Sequence, residues 1–391
     1  EKIRGRVHFG FDPDDPANAR IVDIGLAPTG QDGLVRATAN FTVLRPRDPS
    51  RGSGVALLEV SNRGGKAALG YLDRGSFATD PTAPEDFGDG LLLRHGVTVI
   101  WVGWQWDVTP DDEDLLRLQV PVARHEDGSP IRGLVRADWV VDEVTETLHV
   151  GHRGHRAYPV ADTAAPEIRL TVREGREAPR RTIPEERWSW AREDGAGDGR
   201  DELVADRRHV HLPGGFEPGR IYELVYPGED PRVVGLGLAA VRDMMSYAKH
   251  DPDSPFAVEK GFALGISQTG RFLRHFLYQG FNVDEEGRRA FDGMMIHSAG
   301  AGRGSFNHRF AQPSRDAHRY SAFFYPTDIF PFSGRVQRDS VTGRRDGLLA
   351  LYRAGAGAVD RLGPGSAGLP SGSRAPQDPG HLPMVFYTNT G

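Results

Sequence analysis

The stretch of this sequence best suited to chemistry is residues 265–271, which read Gly-Ile-Ser-Gln-Thr-Gly-Arg. An apolar run typical of a buried strand ends just before it, and a segment with apolar residues at helical spacing follows it. Ser267 therefore falls where a strand turns sharply into a helix, and Gly265 and Gly270 are the small residues that such a turn needs. This pattern predicts a nucleophilic serine, with N–H groups at the helix start, first that of Gln268, as oxyanion donors. The alternative is a Gly-Ser turn without chemistry.

A second glycine-containing loop follows residues 54–60, an apolar run typical of a central strand in a parallel sheet. The loop includes Asn62, Arg63 and Gly64, and a Gly pair after such a strand lets backbone N–H groups face a ligand. We interpret it as the candidate loop for a second oxyanion donor. An ordinary strand-to-helix connection is the alternative.

Two tryptophans follow the next apolar run, over residues 97–104. Trp104 and Trp106 share one face at the carboxyl end of this predicted strand, where open α/β sheets bind ligands. They are therefore candidates for the wall of a substrate pocket. Trp101, inside the run, is interpreted as core.

Two arginines are candidate substrate contacts. Arg271 comes shortly after Ser267, and Arg303 lies in the glycine-rich loop that follows a predicted strand over residues 291–297. If both face the site, they favour an acidic or polyhydroxylated substrate. His308 lies in the same loop. A flexible loop with solvated charges is the alternative for Arg303 and His308.

Five histidines in the middle of the chain raise the question of a metal site: His149, His152, His155, His209 and His211. The i, i+3, i+6 spacing of the first three, with intervening glycines, fits neither one face of a strand nor the i, i+4 pair of a helical metal site. We predict hydrogen-bonded or surface histidines, with no metal and no cofactor.

Composition limits the classes of function. The 391 residues carry a net charge of −6, spread over both signs without a basic stripe, so nucleic-acid binding is not expected. The longest strongly apolar run is too short to cross a bilayer. The absence of cysteine excludes disulfides, thiolate metal ligands and a cysteine nucleophile, but does not fix the cellular compartment.

The order of elements predicts an α/β fold with a mostly parallel central sheet flanked by helices. Residues 1–114 are the expected N-terminal part, residues 115–217 a β-rich insertion or lid, and residues 218–391 the catalytic part. A long helix is predicted from Asp230 to about His250, because an N-cap and a proline open it. The last apolar strand is predicted over residues 382–389.

The order of elements and the turn at Ser267 resemble the α/β-hydrolase superfamily, and several stretches resemble a bacterial group described only as alpha/beta hydrolase domain-containing proteins. The stretches that carry the resemblance are residues 11–23, 61–65, 265–271 and 300–310. The turn is Gly-x-Ser-x-x-Gly, with Thr269 where many lipases have glycine, and in this it is similar to glucuronoyl esterases. The resemblance implies that Ser267 is the nucleophile, that the Gln268 N–H is an oxyanion donor, and that the reaction is ester hydrolysis.

The resemblance also implies a chain order of serine, acid, histidine for the catalytic triad. The acid usually follows the strand that residues 382–389 are expected to form, so we expect the acid and the histidine beyond Gly391, on a C-terminal remainder of the same protein. The candidates within the chain are His297, His308, His318 and His381. His308 is preferred among them because its loop lies at the same sheet edge as Ser267.

The leading hypothesis is a serine esterase that acts on a small-molecule ester through an acyl-enzyme. An acyltransferase would use the same nucleophile. A non-catalytic binding protein that kept the hydrolase fold is the hypothesis from another class, and covalent labelling of the serine separates it from the two enzymes.

Overall fold

The fold is built around a mixed sheet to which both ends of the described chain contribute strands. The computed structural model describes residues 1–196, 200–300, 302–315, 329–348 and 384–388. The strands within these ranges, in chain order, are β1 (Lys2–Phe11), β2 (Val35–Leu44), β3 (Val55–Val60), β4 (Thr98–Val102), β5 (Leu118–Gln119), β6 (Arg132–Trp139), β7 (Thr145–His149), β8 (Arg169–Arg173), β9 (Arg181–Thr182), β10 (Ala191–Ala196), β11 (Arg200–Ala205), β12 (His209–Phe216), β13 (Ile221–Glu229), β14 (Lys260–Ile266), β15 (Gly293–His297), β16 (Gln337–Arg338), β17 (Arg345–Asp346) and β18 (Met384–Thr388).

The main sheet has the strand order β1-β2-β4-β3-β14-β15-β18, with β5 paired to β2. The five strands from β4 to β18 are parallel to their neighbours, whereas β1, β2 and β5 pair antiparallel at one side. All of β4 and nearly all of β3 are buried, as their continuous apolar sequences predict for strands covered on both faces. The carboxyl ends of β3, β14 and β15 therefore meet at one edge of the sheet.

The α-helices within the described residues are α1 (Ala68–Leu72), α2 (Leu91–Arg94), α3 (Leu236–His250) and α4 (Gln268–Tyr278). The predicted start of α3 at Asp230 is wrong, although its end is where the sequence indicates. Asp230 has a left-handed backbone (φ 59°), and the N–H of Val233 donates to the carbonyl of Pro121. The residues before Leu236 are thus held by a neighbouring segment instead of by helical hydrogen bonds.

The middle of the chain is rich in short strands that lie outside the main sheet. A four-stranded antiparallel sheet has the order β6-β13-β8-β9, and β7-β12 and β10-β11 form two-stranded pairs. β13 begins after residue 217, the end predicted for the insertion, yet it pairs along its length with β6 and β8. Residues 221–229 are therefore paired with strands of the middle of the chain, and the boundary at residue 217 stays a prediction.

One large cluster of buried apolar residues joins the main sheet, α3, α4 and the insertion. Phe272 and Phe276 on α4 are fully buried in it, as are Ala239 and Ala240 on α3. The helix that follows Ser267 is thereby fixed along one whole face. Within the described ranges no helix has the length and apolar character needed to cross a membrane.

Candidate active site

Ser267 lies between the last residue of β14, Ile266, and the first residue of α4, Gln268. Its backbone has φ 58° and ψ −112°, a conformation that residues other than glycine rarely adopt. Such a conformation costs on the order of 1–3 kcal/mol and persists only where the surroundings hold it, which is frequent at functional sites. The serine is half-buried at the carboxyl edge of the sheet.

The two glycines of the turn are required by close packing. A Cβ atom on Gly265 would lie 2.4 Å from the carbonyl oxygen of Thr269, in the first turn of α4. A Cβ atom on Gly270 would lie 2.9 Å from the Cβ of Ala299 and 2.9 Å from the carbonyl oxygen of His297. Neither position has room for a side chain, so α4 begins in direct contact with the end of β15.

Two sets of hydrogen bonds hold the strained turn in place. The hydroxyl of Thr269 accepts from the N–H of Ile266 at 2.9 Å and donates to the carbonyl of the same residue at 3.1 Å. The N–H of Ser267 donates to the carbonyl of His297 at 2.9 Å. A threonine at this position thus closes the turn by a side-chain bridge that glycine could not make.

Gln268, predicted as the first oxyanion donor, lies at the N-terminus of α4. It is the first residue of α4, so its N–H has no carbonyl partner within the helix. The positive end of the helix dipole adds to the attraction for a developing negative charge. Its side chain is fully buried, and the amide nitrogen donates to the carbonyl of Pro313.

The loop from Asn62 to Gly64 follows β3, the direct neighbour of β14 in the sheet. Arg63 is left-handed there (φ 50°, ψ 36°), and a Cβ atom on Gly64 would lie 2.7 Å from the carbonyl oxygen of Leu116. The side chain of Arg63 donates from Nε (3.1 Å) and Nη2 (2.9 Å) to the carbonyl of Ser314. The structure therefore places this loop and the Ser267 turn at the ends of adjacent parallel strands.

Both tryptophans predicted as a pocket wall are buried close to this edge. Trp104 is 2% exposed, donates from Nε1 to the carbonyl of Ser61 at 2.7 Å and packs on Phe272 of α4, with ring centroids 4.4 Å apart. Trp106 donates to the carbonyl of Ala311 at 3.3 Å. These contacts support the loops around the serine. Contact of either ring with a substrate remains a prediction.

The two candidate substrate arginines lie in different places. The guanidinium of Arg271 lies against Gly300, in the loop directly after β15, where a Cβ would be 3.0 Å from Nη2. Arg303 lies over the ring of Tyr278, 5.0 Å from its centroid, and donates to the carbonyl of Phe330 at 2.8 Å. Tyr278 is the last residue of α4, about 16 Å along the helix axis from Ser267. Of the two, Arg271 is the one near the serine.

Both ring nitrogens of His308, the preferred base within the chain, form hydrogen bonds within its own loop. Nδ1 lies 2.9 Å from the carbonyl oxygen of Arg309 and must carry the proton of that hydrogen bond. Nε2 lies 2.7 Å from Oγ of Ser305. Burial lowers the pKa of His308, so Nε2 of the neutral ring accepts from the Ser305 hydroxyl. To serve Ser267, the imidazole would have to give up that bond.

The other histidines differ in their relation to the serine. His297 ends β15 and contacts the turn through its carbonyl. His275, which sequence reasoning missed, is fully buried on α4, and burial holds its pKa well below its usual range. It lies about 12 Å along the helix from Ser267, too far for proton transfer. His318 and His381 lie outside the described residues.

The histidines of the insertion are hydrogen-bonded. Nδ1 of His149 accepts from the N–H of Gly151 at 3.0 Å, and Nδ1 of His155 accepts from the N–H of Thr109 at 3.1 Å. The described residues do bring ligand atoms of one mixed group to within 4.8 Å of one another: Glu146, Glu193 and His211. Both glutamates are exposed, where acidic groups often cluster without a metal, so we assign no metal to them.

Comparison with known proteins bears on the class of this chain. Residues 204–340 match the family model described as an alpha/beta hydrolase domain. The matched range contains β14, the Ser267 turn, α4 and β15, and with the strand order it supports the α/β-hydrolase superfamily. The match suggests a hydrolase-type function. No curated protein and no solved structure gave a significant match to the chain.

Proposed function

We propose that this protein is a serine hydrolase that cleaves a carboxylic ester through an acyl-enzyme on Ser267. The observation that carries the proposal is the strained backbone of Ser267 (φ 58°, ψ −112°) between β14 and the N-terminus of α4. A Gly-Ser turn without a catalytic role does not require this backbone conformation at its serine. It favours a serine that must stand out from a sheet edge toward a reacting carbonyl.

In the proposed reaction, Oγ of Ser267 attacks the ester carbonyl carbon while a general base takes its proton. The carbonyl electron pair moves onto oxygen, and the N–H of Gln268 and an N–H of the 62–64 loop donate to that oxyanion. Collapse of the tetrahedral intermediate breaks the C–O bond, and the alkoxide leaves with the proton as an alcohol. Water then attacks the acyl-enzyme by the same steps and releases the acid.

In the proposed reaction, the acid and the base follow β18, in the order implied by the superfamily resemblance. β18 pairs with β15, so its end lies at the same edge of the sheet as Ser267. The rival base is His308, whose Nε2 is engaged by Ser305. His308→Gln separates the two: we expect a loss in kcat below about tenfold, whereas a general base would cost at least about a hundredfold.

The substrate class is proposed from Arg271, a cation in the first turn of the helix that follows the serine. Arg271 follows Ser267 by one helical turn and contacts the loop after β15, and the elbow resembles that of glucuronoyl esterases, which also place a cation there. We propose an ester with an acidic or polyhydroxylated portion. The contact of Arg303 with Tyr278 makes that residue the weaker candidate.

A comparison of two serine variants tests the proposed reaction. Ser267→Ala should lower kcat/KM for chromogenic esters by at least about 1,000-fold, because no other group supplies the nucleophile. Ser305→Ala is the matched control, since it removes a hydroxyl from a neighbouring loop, and it should keep esterase activity. Equal activity in the wild type and in Ser267→Ala would show that the serine is not the nucleophile.

A further inference from the structure

A five-residue segment that has no role in the proposed reaction contacts two parts of the candidate active site. It runs from Ala311 to Arg315 and is called the strap below. Its first carbonyl, that of Ala311, accepts from Trp106 and, at 3.0 Å, from the hydroxyl of Tyr158 in the insertion. Its last residue, Arg315, pairs with Asp138 of β6 at 3.2 Å, and both side chains are largely buried. Both ends of the strap are thus fixed.

Between these ends, two consecutive carbonyls of the strap each bind one side of the proposed oxyanion hole. The carbonyl of Pro313 accepts from the side-chain amide of Gln268. The carbonyl of Ser314 accepts from two nitrogens of Arg63. The backbones of Gln268 and of the 62–64 loop carry the two proposed oxyanion donors. The strap therefore connects the two segments that carry the proposed oxyanion donors.

Asp107 holds the middle of the strap. Its carboxylate is fully buried, and Oδ2 accepts from the N–H of Ser314 at 2.9 Å. The other oxygen, Oδ1, accepts from the side-chain amide of Gln105 at 2.7 Å. A buried carboxylate is stable only with its acceptors satisfied, so its bond to Ser314 resists displacement of the strap. Burial raises the pKa of this carboxyl.

We propose that Asp107 is a positioning residue: through Ser314 it fixes the strap, and the strap sets the separation of the two oxyanion donors. This inference rests on the proposed function and adds a role for residues that do not touch the reacting atoms. Oxyanion stabilisation depends steeply on donor placement, because a displacement of about 1 Å can cost about a hundredfold in rate. A change at Asp107 should therefore act on the transition state more than on substrate binding.

The test compares Asp107→Ala with Asp284→Ala, both measured for kcat, KM and inhibition by a trifluoromethyl ketone. Asp284 is a suitable control because it is also buried and also accepts from a serine, Ser246, on another part of the fold. In Asp107→Ala the Ser314 N–H loses its acceptor, so we expect kcat to fall about 10- to 100-fold with KM within about twofold, and the Ki of the ketone to rise by the same factor as kcat/KM falls. Asp284→Ala should leave kcat, KM and the Ki of the ketone unchanged.

A second pair of variants tests the proposal if Asp107→Ala does not fold. Arg63→Ala removes the contact with the strap and should reproduce the loss in kcat, whereas Arg63→Lys keeps one donor and should recover part of it. A rise in KM alone, or a Ki that does not follow kcat/KM, would overturn the positioning role. Failure of the proposed function looks different, because the wild-type protein itself would then lack esterase activity.

Discussion

At the scale of single residues, the turn around Ser267 depends on groups that hold a strained backbone. Gly265 has a negative φ, so only space forbids a side chain there. Gly265→Ala should lower the free energy of unfolding by roughly 1–3 kcal/mol, because its methyl group would lie 2.4 Å from the carbonyl oxygen of Thr269. Gly25→Ala is the control, since nothing lies within 4 Å of its Cβ position. Urea unfolding measures both, and equal midpoints would contradict the packing described.

We expect substitutions of Arg271 and Arg303 to have different effects, the first on substrate binding and the second on stability. Arg271→Ala should raise KM for anionic esters more than for neutral ones, since its guanidinium lies beside the loop after β15. Arg303→Ala should instead lower stability, because it loses the contacts with Tyr278 and Phe330. Steady-state kinetics on a matched pair of esters checks this. An equal change in KM for both esters in Arg271→Ala would remove it as a substrate contact.

The residues of the serine turn could be predicted because local spacing alone places them. A serine between two glycines, after an apolar run and before a helical pattern, indicates a strand-turn-helix junction without knowledge of the rest of the chain. The positions of Arg303 and His308 could not be predicted in this way. Each is set by partners distant in sequence or by a loop without periodicity, such as Tyr278 for Arg303.

At the scale of elements, a buried carboxylate joins β3, β4 and α1 close to the 62–64 loop, the proposed source of the second oxyanion donor. Glu59 accepts from Nε1 of Trp101 at 2.5 Å and from the N–H groups of Ala67 and Ala68, at the start of α1. The carboxylate of Glu59 thus caps the N-terminus of α1 from a neighbouring strand. Burial raises the pKa of Glu59.

Glu59→Gln should destabilise the protein by roughly 1–3 kcal/mol, because an amide NH₂ would face hydrogen-bond donors that need an acceptor. Glu126→Gln, at an exposed position, is the control and should change the urea midpoint little. If the two variants unfold at the same urea concentration, the contacts of Glu59 carry no stability and the description of this cap is wrong.

Prediction of elements succeeded for strands identified by a continuous apolar run. It failed for the start of α3, which depends on a contact with a segment distant in sequence. The apolar runs of β3, β4, β14 and β15 are covered on both faces, so continuous hydrophobicity was enough to identify them. The start of α3 was misplaced because a backbone hydrogen bond between Val233 and Pro121 outweighs the N-cap signal at Asp230. The sequence of the strap has no hydrophobic periodicity, so its position could be found only from its tertiary contacts.

At the scale of the whole molecule, two histidines, one half-buried and one buried, make stability depend on pH. Burial lowers the pKa of His149 and of His155 to about 4 from 6.5. The unfolded chain therefore binds protons below about pH 6.5, where the folded protein still excludes them. The free energy of unfolding should fall as the pH drops from about 6.5 to about 4, by at most roughly 1.4 kcal/mol per pH step of one for each histidine.

Urea unfolding at pH 7 and at pH 4.5 measures this dependence. His155→Gln should reduce the difference between the two midpoints, because one proton-excluding site is gone. His125→Gln, at an exposed position, is the control and should leave the difference as in the wild type. A His155 variant with the full wild-type difference would contradict the lowered pKa given for that residue.

A time course of intact and peptide mass after treatment with a fluorophosphonate decides whether Ser267 is an activated nucleophile. We expect one adduct for each chain, located on the peptide that contains Ser267, and no adduct on Ser267→Ala. Labelling of the wild type but not of the variant would establish an activated serine in the turn between β14 and α4. A wild-type protein that gains no adduct, or gains one elsewhere, would contradict the assignment of Ser267 as the nucleophile.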